Sequence, residues 1–200
     1  MGNIDSRFGL KPVRYNEDFV EKFFVDADYA TALYVGDCVD YDTTDANMDP
    51  TAKHGTVIRA AMTAATFTLG PIIAIEPIRT DLYKQYIPAS TGGYVYVCTD
   101  PRARFWIRGD GGGTPVSTWP GCNAVGIYTH AGSTVTGLSG LELDEGTTTA
   151  PAADNTYTFL IHHLADIEDN LLADRAIWEV SLGLHRYAST GDATGILGVL

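Results

Sequence analysis

The 200-residue sequence lacks any apolar run approaching the roughly 18–20 residues that span a bilayer, and residues 1–7 offer no apolar signal-peptide core. Cysteine is scarce. Cys38, Cys98 and Cys122 are odd in number and widely spaced, which excludes a disulfide framework and a CxxC metal motif. Each lies among apolar or small residues, so buried thiols in a reducing, intracellular setting are expected. Positive charge is scarce too: 13 basic residues face 25 acidic ones, a net charge of −12 at pH 7. Such a field repels phosphate and anionic lipid, so neither nucleic acid nor a membrane surface is expected as a partner. Charged residues make up 19% of the chain, below the roughly 25% of ordinary soluble domains. Glycine, alanine, threonine and tyrosine take their place, which favours turns and strands over long solvated helices. No fixed-period repeat and no convincing helical stretch is present.

The charge is unevenly spread. Residues 1–15 hold three basic residues against one acid, and residues 16–50 hold Lys22 alone against ten acids. A short basic leader thus precedes an acidic body. Gly9 and Pro12 break any helical period in that leader, so residues 1–15 are read as an extended arm. Residues 16–188 are read as one all-β domain and residues 189–200 as an apolar-ended tail. Deleting residues 1–14 should on this reading leave thermal melting nearly unchanged.

The body alternates short apolar runs with turn residues every 8–12 positions, the pattern of a compact β-barrel or jelly-roll-like sandwich. In Gly93-Tyr94-Val95-Tyr96-Val97-Cys98-Thr99 the tyrosines and valines take opposite faces. Asp100-Pro101 should turn this run back into Ala103–Arg108 as a hairpin, with Gly109–Gly113 as a flexible tip whose glycines supply positive φ. Arg102, Arg104, Trp106 and Arg108 fall on one face of the second run. Three arginines there argue against core and suit a contact face.

Catalytic and metal-binding patterns are largely missing. His162-His163, with Asp166, Glu168 and Asp169 downstream, comes nearest, yet strand alternation sends adjacent imidazoles to opposite faces. Asp40–Asn47 lacks the central glycine and distal glutamate of a calcium loop. Arg108–Gly113 lacks the Gly-Lys-Ser/Thr ending of a phosphate loop, and Asp144-Glu145 reads as a turn before Gly146. No catalytic residue, cofactor or metal is therefore assigned.

Several segments, taken in order, carry a resemblance. They are Gly9-Leu10-Lys11-Pro12-Val13-Arg14-Tyr15, Ala32-Leu33-Tyr34-Val35-Gly36-Asp37-Cys38-Val39, Tyr86-Ile87-Pro88-Ala89-Ser90-Thr91, Gly137-Leu138-Ser139-Gly140-Leu141-Glu142-Leu143-Asp144 and Trp178-Glu179-Val180. Together they resemble the head decoration (capsid cement) proteins of tailed bacteriophages. The resemblance implies a non-enzymatic, all-β structural protein, made in the host cytoplasm and carried on the outer surface of the virion capsid. It implies dimers or trimers that bridge neighbouring major capsid protein subunits through extended arms. The arginine-rich strand 102–108 departs from the pattern expected of such proteins. Contact residues are expected in the arm (Phe8, Lys11, Arg14, Tyr15), on the arginine-rich strand (Arg104, Trp106) and in the tail (Ile196, Leu197, Val199, Leu200). The alternatives are a carbohydrate-binding or receptor-adhesion sandwich using exposed aromatics, and a hydrolase built on His163.

Overall fold

The computed structural model describes residues 3, 5–43, 55–79 and 81–188. It is nearly all-β, with two five-stranded antiparallel sheets in a sandwich-like arrangement and no closed barrel. One sheet is built from β1 (Lys11–Arg14), β7 (Arg104–Arg108), β12 (Ile177–Leu182), β11 (Phe159–Leu164) and β8 (Asn123–Ala124), in that order across the sheet. The other runs β2 (Val20–Val25), β6 (Gly93–Cys98), β5 (Gly70–Ile75), β3 (Cys38–Tyr41) and β4 (Val57–Arg59). A two-stranded ribbon joins β9 (Gly126–Ile127) to β10 (Glu142–Leu143).

Period-2 alternation builds both sheets. In the first, Phe105, Ile107, Phe159, Ile161, Trp178 and Val180 point inward and form the larger core with Leu10, Trp119, Leu141 and Leu143. Burial of each large side chain contributes about 2–3 kcal/mol, so the β7–β12–β11 centre anchors this half of the molecule. In the second sheet Phe23, Val25, Val39, Ile72, Val95 and Val97 line a smaller core. Cys38, Cys98 and Ile73 of that same sheet pack with the larger core, which locks the two sheets together. Burial pushes the Cys38 thiol up to about 12 and the Cys98 thiol to about 11, so neither is a ready nucleophile. Cys122 is free and half-buried.

Three sequence expectations change here. Residues 93–98 and 104–108 do not form a hairpin: β6 pairs with β2 and β5, while β7 pairs with β1 and β12. Asp100 turns the chain across from one sheet to the other. Its carboxylate accepts the Arg102 N–H at 2.8 Å and the Asn16 N–H at 2.9 Å, pinning the corner to the chain just ahead of β2. Secondly, Lys11–Arg14 of the N-terminal segment forms an edge strand that lies on its own body. Leu10 is 1% exposed, and Lys11, Pro12 and Arg14 register with Trp106, Phe105 and Arg104.

Thirdly, the 109–113 glycines answer mostly to close approach. A β-carbon at Gly109 would overlap the Glu145 carboxylate, and one at Gly113 would strike the Glu145 backbone carbonyl. Gly111 alone of these four glycines has positive φ, at 75°. The stretch is packed against 142–147 rather than a free tip.

Candidate functional site

The described residues of the N-terminal segment are held to the body at several points. The Asn3 side chain donates to the carbonyls of Leu171 at 3.0 Å and Asp174 at 3.1 Å, and accepts from the Leu171 N–H at 3.0 Å. Asp5 accepts from Arg108 Nη1 at 2.6 Å. At Gly9 and Gly36, with φ of 68° and 92°, two backbones come close enough for the Leu10 N–H to reach the Gly36 carbonyl at 2.9 Å. A β-carbon at Gly9 would collide with that carbonyl and with Ser139.

Beside this strap lies a charge network centred on Arg108, which alternation had put on an outward contact face. Arg108 is 1% exposed and Glu142 0%, and the two form an ion pair. Arg7 Nε stands 3.5 Å from Glu142 and its Nη2 3.2 Å from His130 Nε2, while His130 Nδ1 reaches Glu142 at 2.9 Å. The arginine face of β7 is therefore graded. Arg102 is exposed, Arg104 pairs with Glu179 at 3.3 Å, and Arg108 is interior.

Asp144 and Glu145 are likewise buried, not surface turn residues. Glu145 accepts from Trp178 Nε1 at 3.3 Å and from the N–H groups of Gly111 and Arg175 at 3.1 and 3.2 Å. Burial outweighs these donors and pushes its carboxyl up to about 7. Folding thus makes Glu145 take up a proton, so its ionisation costs stability as pH rises from the unfolded carboxyl range near 4.5 through 7. Glu145→Gln removes that term. Its stability relative to the natural protein is expected to rise by about 1 kcal/mol per pH unit between pH 5 and 7 and to level off above, read by urea denaturation at each pH. A pH-independent difference would refute the assignment.

Between the strap and the sheet lie two adjoining hollows. The first, about 430 Å³, is lined by Phe8, Leu10, Lys11, Pro12, Val35, Ile73, Trp106, Leu138, Ile167 and Ile177. The second, about 710 Å³, shares Phe8, Ile167 and Ile177 and continues toward Glu168, Asp169 and Arg175. Ile167 belongs to the acidic connection from β11 to β12. Asn170 staples its ends by donating to the carbonyls of Ala165 and Ile177, both at 2.8 Å, and accepting the Ile177 N–H at 2.9 Å. Asp169 and Arg175, on the rim of the second hollow, are non-glycine residues with φ of 63° and 62°, a conformation usually held at some cost by surrounding structure.

Of the residues expected to make contacts, the fold brings Phe8, Lys11 and Trp106 together on the first hollow. The Lys11 ammonium sits 5.5 Å from the Trp106 ring centroid. Arg14 faces Arg104 at the far end of the β1–β7 pair. Tyr15 turns inward and packs against the larger core. Ile196, Leu197, Val199 and Leu200 lie outside the described residues, as does half of the acidic loop 40–47, residues 44–47. Trp119 and Trp178 are core residues with ring centroids 5.6 Å apart, so neither supplies the exposed aromatic surface that a carbohydrate-binding sandwich would use.

Sequence reading missed the apolar wall of Val35, Leu138, Ile167 and Ile177. An isolated isoleucine among the acids of 166–169 was the available signal.

The His162-His163 argument also needs correction. A register shift between Ile161 and His163 breaks the alternation. His162 Nε2 meets Ser181 at 2.8 Å and His163 Nε2 lies 3.6 Å from Glu179, two residues apart on β12 and so on one face. Burial pushes His162 down to about 4, keeping it neutral. Among the described residues no three His, Cys, Asp or Glu side chains are placed to hold a metal ion. No helix among the described residues is long and apolar enough to cross a membrane. No family model matches the chain, and neither a curated protein nor a solved structure does.

Proposed function

We propose that the chain is a structural virion protein that decorates the outer surface of a tailed-phage capsid and bridges neighbouring major capsid protein subunits as a dimer or trimer. The observation that carries this reading is the apolar groove beside strand β1, where Phe8, Lys11 and Trp106 converge on a solvent-facing hollow of about 430 Å³. Apolar surface left open beside a sheet edge is suited to contact with another chain. Tail residues Ile196, Leu197, Val199 and Leu200 belong to the same proposed contact set.

Decoration gains strength from many modest contacts shared over a lattice, where linked sites raise effective concentration. A net charge of −12 suits crowding at high local density. The groove favours this over the carbohydrate-binding alternative. Lys11 is the one charged or amide-bearing side chain lining the first hollow, too few polar groups for the hydroxyls of a sugar.

The test is a copy count. Quantitative mass spectrometry of purified heads from the phage that encodes the chain should find it in hundreds of copies, released without loss of the major capsid protein. Heads that never carry it, with saturable binding on a glycan array, would replace this reading by the carbohydrate one.

A further inference from the structure

The open edge of strand β1 offers a place for one more strand. Sheet order puts β1 at the border of the first sheet, with β7 as its sole neighbour. Among the described residues, no backbone group of 11–14 bonds to anything but β7. The register skips Val13, which is 42% exposed and has no counterpart on β7. Pro12 supplies no N–H, so indiscriminate edge pairing is discouraged while the remaining groups stay available to a matching segment.

The apolar hollow opens beside this edge, since Lys11 and Pro12 of β1 form part of its wall. Its volume of about 430 Å³ far exceeds the ~30 Å³ share of one water, and its lining is almost wholly apolar. Charge selects the occupant further. Lys11 and Arg14, at the two ends of β1, and Arg102, just ahead of β7, are exposed, and among the described residues none has a carboxylate within ion-pair distance. In a chain with 25 acids against 13 bases, cations spaced along one sheet edge without carboxylate partners are complementary to a negatively charged partner.

We infer that β1 receives an extended, acidic-flanked apolar segment of the neighbouring lattice subunit, which adds as a strand along the β1 edge and seats a large apolar side chain between Phe8 and Trp106. The inference rests on the decoration reading and names the partner's chemistry at the same groove. Main-chain hydrogen bonds supply affinity, the hollow selects an apolar side chain, and Lys11 with Arg14 selects flanking carboxylates.

The experiment uses the full ¹⁵N-labelled chain and a synthetic peptide, Glu-Val-Leu-Val-Glu, capped at both ends. Saturable shifts are expected at the Trp106 indole N–H and the amides of Lys11, Val13 and Arg14, with a Kd in the millimolar range or tighter. The peptide with lysines in place of both glutamates should bind at least tenfold more weakly. Lys11→Glu with Arg14→Glu, two exposed sites, should invert that preference while leaving the rest of the spectrum in place. No shift at these positions up to several millimolar, equal binding of both peptides, or an unchanged preference in the double variant would overturn the inference. So would concentration-dependent shifts of the same resonances without peptide, which would make a second copy the occupant. Heads that carry the protein alongside a failed peptide test would reject the edge assignment alone; heads that lack it would reject the decoration reading.

Discussion

Removal of residues 1–14 is expected to lower the stability of the fold by about 5 kcal/mol or more, enough to unfold an ordinary marginally stable domain. The segment supplies Leu10, 1% exposed in the larger core, and loss of such a side chain costs about 2–5 kcal/mol. It also supplies Asp5 and Arg7, which sit against the Arg108–Glu142 pair. Their loss opens the pair to water and strips it of two charged neighbours, and β7 loses one of its two strand partners. Urea denaturation or circular-dichroism melting checks this directly. A truncated chain that melts within a degree or two of the full one would mean that the strap is not docked. The result also bears on function: loss of head binding on truncation would report unfolding, so edge variants such as Lys11→Glu are the cleaner probes of contact.

Arg108→Leu is expected to cost about 3–5 kcal/mol, because it leaves the Glu142 carboxylate, itself 0% exposed, without its main counter-charge. Glu142→Leu should cost a similar amount, because it leaves the guanidinium with Asp5 as its one remaining carboxylate partner among the described residues. The double variant is expected to recover at least half of the summed loss, since burying a well-packed apolar pair avoids desolvating two charges. Arg7 and His130 remain near Glu142 in the first single variant and Asp5 remains on Arg108 in the second, so each loss is softened and the two are expected to be comparable. Additive losses in a double-mutant cycle by urea denaturation would show that the pair is not coupled.

Much of the fold was legible from local pattern. Period-2 alternation located β6 and β12 and separated Val95 and Val97 from the tyrosines of β6, because a strand sends successive side chains to opposite faces; which face is buried came from the structure. The grouping of those strands was not legible. Asp100-Pro101 reads as a turn whether the chain folds back on itself or crosses to another sheet, and the difference lies in Asn16, 84 positions away. Arg108 looked like a surface residue because its carboxylate partner, Glu142, is 34 positions distant and is invisible to local spacing. The same holds for the glycines at 109 and 113, whose need comes from the approach of 145. At the candidate site, Phe8, Lys11 and Trp106 were singled out from the arm and from alternation, whereas Val35, Leu138 and Ile167 come from segments far apart in sequence that local pattern does not connect.

By itself, the sequence determined the all-β class, the acidic character of the surface and the extended form of the N-terminal segment. These follow from residue types and short periods, which act over a few positions. The tertiary structure alone decided that this segment is a docked edge strand, that an arginine face runs from solvent into a buried ion pair, and that an apolar hollow opens beside β1. Each of these depends on contacts between residues tens of positions apart, where burial and desolvation, not local propensity, set the energy.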